Sequence, residues 1–264
     1  MVTPAALGDA RQRFAEQGYV LLRGALPADL CGNFGAAIIA EHRRLTDAGW
    51  RFTSSGWLAG HLNLALGPTG RDLLAALEQA GVPQLIAGLA PQPLALAQAA
   101  GNLNLPGSAA QDYHVDGQFA ERTLIANICL VPTDEANGAT ALVPASDRSA
   151  MPYWRFRTER WAARAIRPAL QPGDVLIRPS TLWHRGTPNL SDTPRPMAAF
   201  VWGDAAKVDA SAVERELSEP LTIYGNKYYG RWRRVKEFAA VHLPWLDEGM
   251  RLARSALFER GQIA

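Results

Sequence analysis

The sequence predicts an α+β fold with a mainly β core, a sandwich or jelly roll, flanked by N- and C-terminal helices. Three observations predict it. Between residues 94 and 203 the chain is cut into short strand-like runs by frequent turn signals, the pattern of an all-β layer. Before that stretch the apolar residues fall at helical spacing, and after residue 203 the pattern turns helical again. The 264 residues suit one domain, 1–264, since all-β barrels often reach roughly 200–250 residues as a unit.

Residues 8–17 read as a short helix and Tyr19-Val20-Leu21-Leu22 as a strand. Pro27 suits the first turn of a second helix, whose Leu30, Phe34 and Ile38 step by four along one face; it ends near Gly49. Residues 50–68 have no clean period. Trp57 and His61 lie there among Ser and Gly, and the stretch reads as a functional loop or lid. Residues 69–90 form two helices broken at Gly81-Val82-Pro83. Strands follow at 94–105, 113–119, 123–131, 139–144, 174–178, 181–186 and 196–203. In the first of these, Gln98, Asn102 and Asn104 share one face, which must meet solvent or a polar cavity. Residues 134–138 read as a hairpin-type connection, and Pro172-Gly173 fits the centre of a type II turn. Residues 153–164 make a Trp- and Arg-rich insert on the rim, and helices close the chain at 211–217, 227–241 and 246–260.

Composition excludes several classes. A formal charge of +2 offers no global attraction to nucleic acid or anionic membrane. The basic run Arg231-Trp232-Arg233-Arg234 reads as a solvated helix face. Residues 79–111 carry no charge, yet their prolines and amides speak for short buried elements and against a membrane span. Cys31 and Cys129 make no disulfide framework, and the first residues lack the basic-then-apolar pattern of a signal peptide; both point to the cytoplasm. No dinucleotide, P-loop or nucleophile-elbow motif occurs.

The chemistry concentrates in Tyr113-His114-Val115-Asp116-Gly117-Gln118. On a strand, residues two apart project to one side, so His114 and Asp116 converge, with Gln118 continuing the row. A second histidine, His184, stands in Leu182-Trp183-His184-Arg185-Gly186. Two imidazoles and one carboxylate are the facial triad of non-haem iron(II), which leaves positions open for substrate and oxygen. Arg195, between Pro194 and Pro196, suits a carboxylate clamp. A metal-dependent hydrolase uses similar ligands but has no need of Arg195. A nucleic-acid demethylase and a non-catalytic binding module are further alternatives.

These motifs resemble the phytanoyl-CoA dioxygenase-like branch of the iron(II)/2-oxoglutarate oxygenases. The similar segments are residues 17–27 (QGYVLLRGALP), 112–119, 135–147 (EANGATALVPASD), 171–177 (QPGDVLI) and 183–195. The resemblance implies a double-stranded β-helix, with His114, Asp116 and His184 as ligands of Fe(2+). It implies that Arg195 pairs with the far carboxylate of 2-oxoglutarate, that Asn102 and Gln98 line the cosubstrate pocket, and that O2 is consumed. It implies oxidation of an unactivated C–H bond, with succinate and CO2 as coproducts. Related halogenases have a small residue where Asp116 stands, so hydroxylation is favoured over halogenation. Gly186 and Thr187 stand where some members have a Ser contact, and Met197, two residues after Arg195, is not Ser or Thr, so the far-carboxylate pocket is expected to differ. The prime substrate is expected to be a small molecule, a natural product or amino-acid derivative. Gln118, Trp57 and His61 are expected on its side of the cavity, with Lys227 from the aromatic run 224–229 opposite. A monomer or small homo-oligomer is expected.

Overall fold

The computed structural model of the chain describes residues 4–50, 60–119, 121, 123–224 and 231–258. In chain order the elements are helix α1 (Pro4–Gln17), strand β1 (Val20–Leu22), α2 (Ala28–Asp47), β2 (His61–Ala65), α3 (Thr69–Gln79), α4 (Val82–Leu89), β3 (Leu94–Asn104) and β4 (Leu124–Cys129). Then come β5 (Ala141–Leu142), α5 (Tyr153–Thr158) with a 3-10 turn at Trp161–Arg164, β6 (Val175–Pro179), β7 (His184–Arg185), β8 (Arg195–Asp204), α6 (Ala210–Ser218), β9 (Thr222–Tyr224), α7 (Arg231–His242) and α8 (Pro244–Phe258).

Seven strands form one antiparallel sheet in the order β1-β6-β4-β8-β3-β2-β9, and β5 pairs with β7 in a second, small sheet. This is the jelly roll: two sheets facing each other, with crossovers between them. Strand alternation divides the large sheet into two chemically different faces. Leu62, Leu64, Ala99, Leu103, Leu124, Ala126, Ile128, Val175, Ile177, Ala198, Phe200 and Trp202 point outward and are buried under the helices, against Phe34 and Ile38 of α2, Leu73 and Leu77 of α3, and Leu217 of α6. The opposite parity is polar. Cross-strand partners line up as His61, Asn104 and Arg195, then Asn63, Asn102 and Met197. Further along the sheet Asn127 and Arg178 occupy the same face.

The N-terminal half follows the sequence closely. Pro27 caps α2, and Gly81, in the left-handed conformation at φ 77°, separates α3 from α4. The type II turn also forms: Gly173 has φ 92° and Asp174 N–H donates to the Gln171 carbonyl (2.9 Å).

Four expectations need correction. The expected loop at 50–68 contains a strand, because His61–Ala65 pairs with β3 on one side and β9 on the other; residues 51–59, with Trp57, lie outside the described residues. The expected strand at 113–119 is a single antiparallel bridge between His114 and His184, after which the chain bends. The turn at 134–138 joins β4 to β5, which belong to different sheets, so it is a crossover and not a hairpin. The strands expected at 139–144 and 181–186 shrink to two residues each. Among the described residues no helix is long and apolar enough to cross a membrane.

Candidate metal centre

The sequence places His114 and Asp116 together by alternation; the structure does so by three backbone hydrogen bonds. His114 exchanges N–H and C=O with His184, both at 3.0 Å, and Asp116 N–H donates to the Ser180 carbonyl (2.8 Å). The segment is thus held extended for three residues without a continuous ladder. Gly117 follows against Ser180, whose Oγ would lie 2.7 Å from a Cβ at that position, so a side chain there would have to turn the Ser180 hydroxyl aside. His184 is positioned by β7, one bridge away. One donor atom from each of His114, Asp116 and His184 lies within 4.8 Å of the others.

The protonation pattern suits a cation. His114 Nδ1–H donates to the Asp112 carbonyl (2.8 Å) and His184 Nδ1–H to the Leu182 carbonyl (2.9 Å). Both rings therefore turn an unprotonated Nε2 toward Asp116, at 3.5 Å from Oδ1 and 3.3 Å from Oδ2 respectively, and that of His184 accepts from Arg178 Nη2 (3.3 Å). Ligand histidines are commonly oriented in this way by their second nitrogen. Burial pushes the His184 imidazole down to about 3, helped by the Arg178 guanidinium and opposed by Asp116. Burial alone would raise the Asp116 carboxyl, but Arg178, His184 and His114 outweigh it and hold it well below the usual range. At neutral pH His184 is therefore a neutral imidazole beside an ionised Asp116, donor groups of the kind that bind iron(II).

Arg195 stands at the start of β8, 2% exposed. Nη1 donates to Asn102 Oδ1 (3.1 Å) and Nη2 to the Gly138 carbonyl (2.8 Å), while Nε is buried with no hydrogen-bond partner. Among the described residues no carboxylate pairs with it. Burial lowers its pKa to about 10, which still leaves it a cation at neutral pH. A buried guanidinium without a counter-charge is costly unless an anion completes it. The residues present therefore fit a dicarboxylate as well as a metal.

The remaining expected site residues divide. Asn102 does meet Arg195. Gln98 does not: it is exposed, pairs with Val201, and lies four residues, about 13 Å of strand, from Asn102. Gln118 is exposed after the bend at 116–117, so alternation does not carry it into the barrel. His61 is no loop residue. It sits on β2 in register with Asn104, is buried, donates Nε2–H to the Ala109 carbonyl (2.8 Å), and leaves Nδ1 buried without a partner. Burial lowers its pKa to about 4, with Arg195 and His114 adding to the shift. Lys227, the run at 225–229 and the side chains of 231–234 lie outside the described residues.

Three contributors were not foreseen. Arg178, on the inner face of β6, donates to Asp116 Oδ2 (2.6 Å). Its signal was a lone charge in Val175-Leu176-Ile177-Arg178-Pro179, at the parity of Leu176. Asn127 accepts from Arg178 Nε at 3.1 Å. Arg251 of α8 pairs with Asp112 (2.5 Å) and donates to the Tyr113 carbonyl (3.0 Å), bracing the residues just before His114. A cavity of about 370 Å³ lies beside the turn after Asp116, lined by Gln92, Glu121, Thr123, Gly203, Asp204, Lys207 and Val208. It is lined by none of His114, Asp116, His184 and Arg195, so the site is assigned from its donor atoms.

Comparison with known proteins agrees with this geometry. The chain is similar to the epimerase SnoN, solved in complex with Fe3+, alpha ketoglutarate and nogalamycin RO, at 23% identity over 83% of this chain and 91% of that one, TM-score 0.57. It is similar to AviO1 from Streptomyces viridochromogenes Tue57 at 23% identity, over 78% of this chain and 97% of that one, TM-score 0.61. It is also similar to the non-heme alpha ketoglutarate dependent carbocyclase SnoK from nogalamycin biosynthesis, at 18% identity over 86% and 89%, TM-score 0.56. At these identities the likeness establishes the fold. The family assignment comes from a match over residues 14–197 to the model of phytanoyl-CoA dioxygenase (PhyH), a span that runs from α1 through the metal-ligand cluster to Arg195. The chain belongs to the phytanoyl-CoA dioxygenase family of iron(II)/2-oxoglutarate-dependent enzymes.

Proposed function

We propose that the chain is an iron(II)- and 2-oxoglutarate-dependent oxygenase that oxidises, by hydroxylation, an unactivated C–H bond of a small molecule in the cytoplasm. The observation that carries this reading is Arg195: a fully buried guanidinium, without a carboxylate among the described residues, on the inner sheet face in register with Asn104 and His61, whose ring packs against Gly186 two residues past His184. A hydrolytic metal site has no use for such a group. A dicarboxylate cosubstrate does.

His114 Nε2, Asp116 and His184 Nε2 would hold the metal, each oriented before it arrives by the hydrogen bonds described above. Bound iron would let O2 oxidise 2-oxoglutarate to succinate and CO2, one oxygen atom going to succinate and the other to the substrate C–H bond. Arg195 would hold the far carboxylate by its planar fork, and Asn102 fixes that fork in place. The apolar outer face and its helices keep bulk water from the sheet that carries these groups. Hydroxylation is preferred because Asp116 retains the third ligand. Epimerisation and ring closure are the reactions named for SnoN and SnoK, and the same ligand set could serve them. The nogalamycin compound bound to SnoN supports a small-molecule substrate.

Anaerobic titration with iron(II) and 2-oxoglutarate tests the reading. A weak visible charge-transfer band that requires both components is expected. Metal binding without any response to 2-oxoglutarate would favour a hydrolytic centre. Screening small molecules by succinate release then identifies the substrate.

A further inference from the structure

Arg178 reaches the metal-ligand cluster from β6 with every guanidinium nitrogen engaged. Nε donates to Asn127 Oδ1 (3.1 Å), Nη1 to the Pro179 carbonyl (3.4 Å) and Nη2 to Asp116 Oδ2 (2.6 Å). Nη2 also donates to the unprotonated Nε2 of His184 (3.3 Å). The side chain is only 6% exposed, against 34% for Asp116. A guanidinium tied at three points is not free to turn to a substrate. What it controls is the carboxylate.

We propose that Arg178 is a positioning residue that keeps Asp116 a one-oxygen ligand and tunes the centre toward its anionic cosubstrate. A free carboxylate can give a metal two oxygens. The second would fill a position that a two-oxygen cosubstrate needs. Arg178 occupies Oδ2 and leaves the other oxygen for the metal. Its charge acts in two directions, repelling a divalent cation at Asp116 and attracting a dianion to the same place. Removing the charge should therefore move the two affinities in opposite senses. Loss of packing alone would weaken both. This inference rests on the iron and 2-oxoglutarate reading above.

The test uses the full chain under argon. Mn(II) affinity is read from the electron paramagnetic resonance of free Mn(II), and 2-oxoglutarate affinity by calorimetry on the Mn(II)-loaded protein. Arg178→Met should bind Mn(II) about tenfold more tightly and 2-oxoglutarate about tenfold more weakly, shifts of the size expected for removing one charge a few ångströms away. Arg178→Gln removes the charge but keeps a donor for Asp116, and should show the same opposed shifts at about threefold. It decides the matter if the Met variant fails to fold by circular dichroism. Parallel weakening of both affinities, or movement of neither, overturns the role of Arg178 while leaving the site intact. Wild-type protein that binds neither Mn(II) nor 2-oxoglutarate overturns the site assignment and this inference together.

Discussion

Replacing Arg195 with Met separates a cosubstrate clamp from a structural arginine. The wild-type side chain is buried and has no carboxylate partner among the described residues. The substitution removes two hydrogen bonds, to Asn102 and Gly138, and also removes a desolvated charge. These effects oppose each other, so the unliganded variant should melt within about 2 °C of the wild type. The response to ligand should differ sharply. At a 2-oxoglutarate concentration of about 100 times Kd, linkage stabilises the Mn(II)-loaded wild type by about 2.7 kcal/mol, which for a chain of this length is about 5 °C. Losing a forked ionic pair removes about 3 kcal/mol or more of binding, over ~100-fold in Kd, and cuts the shift to below about 1 °C at the same concentration. Anaerobic thermal melts with and without 2-oxoglutarate measure this directly. A variant that keeps the full ligand shift would show that the far carboxylate binds elsewhere.

Three more outcomes follow from the geometry. Asp116→Ala should weaken Mn(II) by about 100-fold or more, and it should also lower the melting temperature because it strands the buried Arg178; Asp116→Asn, which keeps an acceptor for Arg178, should lose the metal and spare the fold. In chelator-treated protein, His184 and His61 are held down to about 3 and about 4, chiefly by burial, against about 6.5 when unfolded. The folded state then binds fewer protons than the unfolded one, so stability is full above the unfolded value and falls below it, by about 2 kcal/mol per histidine at pH 5; urea midpoints that stay flat from pH 7 to 5 would contradict the burial of both rings. Gly138→Ala places a Cβ 2.3 Å from Asn104 Nδ2 and 2.9 Å from the Thr187 carbonyl, at φ 87°. It should destabilise the fold by about 2–4 kcal/mol in chemical denaturation and, because the Gly138 carbonyl holds Arg195, weaken 2-oxoglutarate as well.

The parts legible in the sequence are those where residue type alone constrains the backbone or the chemistry. Pro27, Gly81 and Pro172-Gly173 fix turns and helix ends because few other residues tolerate those conformations. His114, Asp116, His184 and Arg195 stand out because imidazole, carboxylate and guanidinium at that spacing serve little else. Strand β2 was hidden by its own function. His61 and Asn63 face the polar interior while Leu62 and Leu64 face the helices, so a short stretch of alternation reads as a loop. The opposite error occurred at Gln118. Alternation was carried past Asp116, but Gly117 bends the chain there, and nothing local announces that a bridge ends after one pair. Arg178 was passed over because a charge at the end of an apolar strand ordinarily reaches solvent. Only the register with Ile125 of β4 turns it inward.

That inward turn explains the electrostatic character of the whole site. Its histidines have their Nδ1–H groups bound to carbonyls, and His184 is neutral at physiological pH. One carboxylate, Asp116, pairs with the buried Arg178, and a second buried guanidinium, Arg195, has no carboxylate partner among the described residues. The protein thus supplies an excess of positive charge in a sheet interior otherwise lined by amides, Asn63, Asn102, Asn104 and Asn127, which carry no charge to balance it. A divalent metal increases the imbalance, and a dianion relieves it. Binding of a metal and a dicarboxylate at this site is therefore coupled: each should bind more tightly in the presence of the other, by the same factor, as linkage requires. Arg195→Met should abolish most of that coupling, since it removes the cation that a far carboxylate would meet. Measuring Mn(II) affinity with and without 2-oxoglutarate, in the wild type and in this variant, gives the factor from both sides. Equal Mn(II) affinity in the two conditions for the wild type would mean that the two guanidinium groups serve the fold and not a shared anionic ligand.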